Sequence, residues 1–474
     1  MSRLYLILFI MMFAVVPTDA TAAAAGHVKS GRDKVCMFRV TLRDKQGTPF
    51  GIHEADRFLS GKAVERRRRQ HVETDSTDLP VSPVYVRKVA ETGVEVVSKS
   101  KWNNTLLVRT RRQQQIKAVE ALACVKAVRK VWTAPDTVAR PTRRQRFHDE
   151  FRMWDDVPPS HYGVAHAQIE MLGGTELHKR GFKGKGMTIA VLDGGFMNAD
   201  MIPCMKKIDV AGWADFVVPQ SKSVFNEIEH GTKVLSVMGV NEPESFVGTA
   251  PEATFWLLRC EDGRTESLAE EDYWAAAVEF ADSVGVDVVS SSLGYHAFDN
   301  KADDYRYSQL DGQTSMISHT ASMLADKGII LVNSAGNDGM GAWKKINVPA
   351  DADNILTVGA VTPQKQNAAF SAVGPTADGR VKPDVMAMGS PTAVITGRGT
   401  IIKDIGTSFS APLVSGLVAC LWQALPSKTA KEIMTLVRNS GDNAATPDNI
   451  YGYGVPDFKE AYDKGRSKSE KQKP

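Results

Sequence analysis

Hydrophobic positions follow one pattern up to about Trp132 and another beyond Gly163. In the first region they come in short amphipathic stretches. "VCMFRVTL" (Val35–Leu42) alternates with a period of two, as a strand with one buried face does. "AVERRRRQ" (Ala63–Gln70) and "QIKAVEALACV" (Gln115–Val125) suit helices, and "VEVVSKSKWNNTLLVRT" (Val94–Thr110) reads as two strands around "WNN". Together these predict a small α+β unit. Beyond Gly163 the runs "GMTIAVLD", "DVVSSSLG", "GIILVNSAGND" and "NILTVGAV" are apolar at nearly every position. Such runs suit strands buried on both faces of a parallel sheet. They alternate with helical stretches, which predicts a doubly wound α/β domain. Between the two regions "ARPTRRQRFHDEFRMWDDVPPS" is charged, Pro-bearing and aperiodic, as a linker is. The tail from Arg466, "RSKSEKQKP", is expected to be disordered.

The chain opens with "MSRLYLILFIMMFAVVPTDATAAAAG": a basic Arg3, an apolar run from Leu4 to Val16, and small residues from Ala20 to Ala25. This is the layout of a secretory signal peptide, here over residues 1–24. The run is shorter than the roughly 20 residues a spanning helix needs, and no Cys follows that could carry a lipid. The expected destination is therefore secreted or periplasmic, with no stable membrane insertion once the signal is removed. Export permits disulfides, but the five cysteines leave at least one thiol over. Cys36 with Cys124 is a possible bridge. No C-x-x-C pair points to zinc or redox chemistry, and Cys420, in an apolar helix, reads as an inert core residue.

At 474 residues the chain is long enough for one large core and a smaller unit. A net charge of +3 implies no polyelectrolyte partner, and nucleic acid is not expected. The run Arg66–Arg69 lacks aromatic interleaving and reads as a solvated helix face. No H-E-x-x-H is present; "HEADR" at His53 does not complete it.

Four polar residues punctuate the apolar pattern of the second region. Asp193 ends the strand of "GMTIAVLDGGF", where open α/β sheets bind ligands. His230 opens "HGTKVLSVMG", whose Val234, Leu235 and Met238 give a helical apolar face. Asn337 follows the strand in "VNSAGNDG", and its amide can donate to an oxyanion. Ser408 opens the helix of "GTSFSAPLVSG", where backbone N–H groups and the positive end of the helix dipole face its oxygen. Each has an ordinary alternative: a turn Asp, a surface His, a turn Asn, an N-cap Ser. The chain order Asp193…His230…Ser408 is that of subtilisin, against His…Asp…Ser in chymotrypsin and Ser…Asp…His in α/β-hydrolases.

On "AVLDGGF", "HGTKV", "SSSLGY" (Ser290–Tyr295), "SAGNDG" and "GTSFSAPLVSG", with "FSAVGPTADGRVKPDV" (Phe370–Val385) as a further match, the sequence resembles the subtilases, the subtilisin-like serine proteases. The resemblance spans roughly Gly163 to Tyr462. It implies a subtilisin-like, mostly parallel doubly wound sheet flanked by helices over 163–465. It also implies a catalytic triad of Asp193, His230 and Ser408, and Asn337 in the oxyanion hole. Ser292, Leu293 and Gly294 would pair with an extended polypeptide substrate as a strand. Secreted subtilases often carry a ferredoxin-like propeptide, and the β-α-β-β-α-β order over 25–133 agrees. That domain is expected to assist folding and then inhibit, and to be cut off by the enzyme itself within the linker at 134–162. No cofactor is expected; structural calcium is allowed for but assigned to no residue, and Asp299–Asp304 reads as a solvated loop. The sequence departs from many relatives at Lys233, Phe409-Ser410 and Met388, and in a long segment from Tyr295 to Met316. Ser410 and Ser415 read as small residues at crowded places, unlike Ser408.

Overall fold

The computed structural model describes residues 34–135 and 160–470. The expected signal at 1–24, most of the linker at 134–162 and residues 471–474 lie outside the described residues.

Four strands near the N-terminus, β1 (Cys36–Leu42), β2 (Glu95–Ser100), β3 (Thr105–Thr110) and β4 (Val125–Thr133), form an antiparallel sheet in the order β2-β3-β1-β4. One face packs Val40, Leu106 and Val108 against Val89, Ile116 and Val119 of two helices. The other face sends Met37, Leu107 and Val131 into the core of the second domain. Between β1 and β2 stand two helices, Gly61–Arg69 and Pro83–Ala90, where the pattern predicts one. The second starts on an N-cap: Ser82 Oγ accepts from the Tyr85 N–H, and Pro83 fills the first turn without losing a hydrogen bond.

The antiparallel register overturns the possible Cys36–Cys124 bridge. Cys36 lies opposite Thr133, whereas Leu42, at the far end of β1, lies opposite Val125. The two thiols therefore sit at opposite ends of a strand, and all five cysteines are free.

In the second domain seven parallel strands form the sheet: β5 (Thr188–Asp193), β6 (Asp209–Asp215), β7 (Thr254–Arg259), β8 (Val288–Ser291), β9 (Ile330–Ser334), β10 (Leu356–Val361) and β11 (Val385–Met388). Their order is β11-β10-β9-β8-β5-β7-β6. The apolar runs are continuous because both faces are covered. In β5, Ile189 and Val191 enter one core and Ala190 and Leu192 the other. The first core also holds the histidine helix (His230–Gly239) and the serine helix (Thr407–Ala424); the second holds the acidic helix (Ala269–Val284). From β5 the chain builds β6 and β7 to one side, then β8 to β11 to the other. The topological switch point lies between β5 and β8, and an α/β sheet of this kind has its crevice there.

The run Arg66–Arg69 is not a solvated face. Arg66 and Arg67 are 0% and 3% exposed. Arg66 Nη2 lies 2.5 Å from Asp282 Oδ1, and Arg67 Nη2 lies 2.9 Å from the same oxygen and 2.9 Å from Asp78 Oδ1. Only Arg68 and Arg69 keep to the surface. The acid that draws the pair inward lies more than two hundred residues away, so the local pattern cannot reveal it.

The tail expectation also changes. The last helix, Phe458–Glu470, continues past Arg466, whose guanidinium stacks over the Tyr462 ring at 5.7 Å.

Candidate active site

Asp193 ends β5 and is fully buried. Its Oδ1 accepts from the Gly194 N–H at 2.8 Å, and its Oδ2 lies 2.8 Å from Nδ1 of His230. His230 is the first residue of the histidine helix, and Gly231 lets that helix reach the β5 turn. A Cβ on Gly231 would lie 2.4 Å from the Gly195 carbonyl oxygen. Burial disfavours the imidazolium, but the Asp193 carboxylate and its hydrogen bond outweigh that, and His230 is pushed up to about 9. Phe409 packs against the imidazole, ring centres 5.8 Å apart. Lys233 is paired with Glu229 and Asp404 at 3.1 Å each.

Ser408 is the second residue of the serine helix and is buried beside the crevice. Its hydroxyl donates to the Ser292 carbonyl at 3.4 Å. The return contact comes from Pro412. Without an N–H, Pro412 cannot bond the carbonyl four residues back, which is that of Ser408. Ser292 Oγ donates to that carbonyl instead, at 2.9 Å. The residue after β8 is thus tied to Ser408 twice, through its hydroxyl and through its carbonyl. Further along, Ser415 Oγ donates to the Ala411 carbonyl and lies 2.9 Å from Ser290 Oγ. A Cβ on Gly416 would lie 2.0 Å from Thr249 Oγ1, and one on Gly389 would lie 2.3 Å from Ser410 Oγ. The two remaining serines are fully buried in crowded surroundings. Cys420 is fully buried and donates to the Thr249 carbonyl at 3.2 Å, and burial pushes its thiol far up.

Asn337 follows β9. Its side-chain oxygen accepts from the Thr407 N–H and from Thr407 Oγ1, each at 3.0 Å. The acceptor end of the amide is held, which leaves the NH₂ as the end able to donate. His230, Ser292, Leu293, Gly294, Asn337 and Ser408 all line one crevice of about 420 Å³ at the switch point. The structure brings every predicted site residue together there, with Asp193 directly beneath His230. The N–H and C=O of Gly294 have no backbone partner among the described residues, as an edge open to a further strand requires.

Sequence reasoning missed Glu261, which lines the same crevice just past the end of β7. Its only signal was a carboxylate closing the apolar run "TFWLLRC". No residue is assigned to a metal. Among the described residues no group of three or more His, Cys, Asp or Glu is arranged to hold one. In the Asp299–Asp304 loop, Asp299 caps the Glu266 N–H and Asp304 the Phe298 N–H.

Residues 184–454 match the family model described as the Subtilase family. The chain belongs to the subtilase family. Residues 37–147 of this subtilase match a second model, the Peptidase S8 propeptide domain of Bacteroidota. Subtilisin NAT of Bacillus subtilis subsp. natto is 26% identical over 289 residues, 60% of this chain and 68% of that protein. Subtilisin DY of Bacillus licheniformis is 26% identical over 290 residues, 60% of this chain and 93% of that protein. Serine protease AprX of Bacillus subtilis (strain 168) is 27% identical over 303 residues, 57% of this chain and 65% of that protein. The protein is a serine-type endopeptidase of the subtilisin family with a propeptide domain.

The propeptide domain docks on the acidic helix through buried charge. Arg39 donates to Asp272 at 2.7 and 2.9 Å, to Glu271 at 3.1 Å and to the Leu268 carbonyl at 2.9 Å. Glu279 accepts the N–H groups of Lys101 and Trp102, at 2.6 and 3.1 Å, at the turn between β2 and β3. Asp282 takes Arg66, Arg67 and Lys101 together. Among the described residues no helix is long and apolar enough to cross a membrane.

Proposed function

We propose that this subtilase is an exported, self-processing zymogen that hydrolyses polypeptides through an acyl-enzyme on Ser408. His230 takes the Ser408 proton as Oγ attacks the peptide carbonyl and returns it to the leaving amine. Asp193 holds the imidazole in the required tautomer and stabilises the imidazolium. The Asn337 amide and the Ser408 N–H bind the oxyanion, and losing one such donor costs subtilisin about 10²–10³ in rate. The substrate lies extended along Ser292–Gly294. The observation that carries this reading is the 2.8 Å contact of His230 Nδ1 with buried Asp193, in the same crevice as Ser408 and Asn337.

The domain over 25–133 is the intramolecular inhibitor and folding template, held on the catalytic domain over 163–465 until the enzyme cuts the linker at 134–162. Folding of a sheet built from long crossovers is slow, which gives a template a physical purpose. The signal at 1–24 directs export, and the reaction itself uses no cofactor. A fluorophosphonate probe tests the triad: Ser408 of the processed protein should be labelled, and Ser408→Ala should not. Processed wild-type protein that stays unlabelled would favour a binding protein that has lost catalysis.

A further inference from the structure

Ser292–Gly294 runs along the crevice between two walls that follow from the strand order. Residues after β9 (Gly336, Asp338) and nearby Asn347 make one wall; Ile228, His230 and Glu261, on the β5 and β7 side, make the other. Each wall carries a carboxylate, and the two differ. Asp338 is engaged: its Oδ2 accepts from Asn347 Nδ2 at 2.8 Å and lies 3.7 Å from His296 Nδ1. Glu261, among the described residues, has neither a hydrogen bond nor an ion pair. Its Oε2 lies over the Gly194 backbone, 2.6 Å from where a side chain on Gly194 would begin.

The basic groups near Glu261 are already taken. Arg259 donates to Asp215 at 2.9 Å and to the Gly194 carbonyl at 3.0 Å, and lies 3.4 Å from Glu227. His230, the cation that acts most on Glu261, is held by Asp193 at 2.8 Å. Burial first and the Asp193 charge second push the Glu261 carboxyl up to about 7, and the charges of His230 and Arg259 offset only part of that. A half-buried carboxyl that lines a substrate crevice with no hydrogen bond or ion pair either stays protonated or is completed by a cation that arrives with the substrate.

Resting on the proteolytic reading above, we propose that Glu261 is a specificity-determining residue that selects lysine or arginine at the second residue on the acyl side of the cleaved bond. An extended peptide turns successive side chains to opposite walls. The residue that supplies the scissile carbonyl sends its side chain past Asn337, where Gly336 leaves room. The residue before it then faces Ile228, His230 and Glu261. A lysine or arginine there places its charged head on the Glu261 carboxylate while its methylenes lie on Ile228.

The test uses processed enzyme and two fluorogenic peptides that differ only at that second position, lysine against norleucine. Wild type should prefer lysine by kcat/KM on the order of tenfold or more, as for a partly desolvated charge pair. The preference should grow as pH rises through about 7, because the ionised carboxylate is the selecting form. Glu261→Gln should bring the ratio to within about twofold of unity, and Glu261→Asp should give an intermediate value. If Glu261→Gln does not fold, the wild-type lysine preference and its rise with pH still decide. The proposal is overturned by a wild-type ratio near one, or by a ratio that survives in Glu261→Gln while both peptides slow equally. Fluorophosphonate labelling of Ser408 separates the two readings: a labelled enzyme without the preference refutes only the role of Glu261.

Discussion

The serine helix and the acidic helix are both buried along most of their length, by opposite means. Thr407–Ala424 contains no charged residue and packs between the sheet and the histidine helix. Ala269–Val284 buries Glu270, Glu271, Asp272, Glu279 and Asp282. Three of these, Glu271, Asp272 and Asp282, take Arg39, Arg66 and Arg67 from the propeptide domain as partners. The first helix carries its own solvent exclusion and keeps it for the life of the enzyme. The second is covered in part by a domain that, in the proposed zymogen, departs. Burial by apolar packing is permanent; burial by charge pairing lasts only while the partner stays. A carboxylate-rich helix is soluble once uncovered, which an apolar one would not be.

Asp282→Ala should damage the charge-paired side most. It leaves Arg66 and Arg67 buried without their shared anion, a loss of about 3–5 kcal/mol for a broken buried pair. In an uncleaved Ser408→Ala background, limited proteolysis should find residues 34–135 released at far lower denaturant, with the serine helix still protected. Equal protection of both variants would mean the arginine pair does not hold the domain.

Acidity separates the two regions next. Burial pushes Glu279 up to about 7 while it accepts from Lys101 and Trp102. A carboxyl held above its ordinary value in the docked state favours docking when protonated, and that contribution is lost as pH rises through about 7. Asp282 runs the other way. Lys101, Arg66 and Arg67 overcome its burial and hold it below the usual carboxylate range, so its share is lost only in acid. Propeptide release should therefore be faster at pH 8 than at pH 5.5, and Glu279→Gln should flatten the difference. His230, pushed up to about 9, must be neutral to accept a proton, so peptide hydrolysis should also climb, about tenfold per pH unit below that value.

The smallest effect sharpens the apolar side. Gly416→Ala places a Cβ 2.0 Å from Thr249 Oγ1. Overpacking of this kind costs about 1–3 kcal/mol, and calorimetry should show a lower Tm without altered propeptide release.

How much of this could be read from the chain follows the same division. Strands β5, β8, β9 and β10 announce themselves as apolar runs because both faces are covered. The residues at their ends stand out because polar groups interrupt those runs, and the switch point then gathers Asp193, Ser292 and Asn337. Edge strand β6 was invisible, since "DVAGWAD" has only one buried residue and no apolar run. The helix Pro83–Ala90 was missed because its signal is the Ser82-Pro83 cap rather than periodicity. Arg66 and Arg67 misled because a buried ion pair depends on an acid contributed by another domain. Glu261 lay in no motif, and its place in the crevice shows only in the fold.

In the proposed zymogen Ser408 carries out both the chain's own processing and peptide hydrolysis. Intact mass and N-terminal sequencing of wild type and Ser408→Ala, each made in a protease-free host, test it directly. Wild type should lose its propeptide domain with a new N-terminus between about residues 134 and 162, while Ser408→Ala stays uncut. The same mature N-terminus from Ser408→Ala would contradict it.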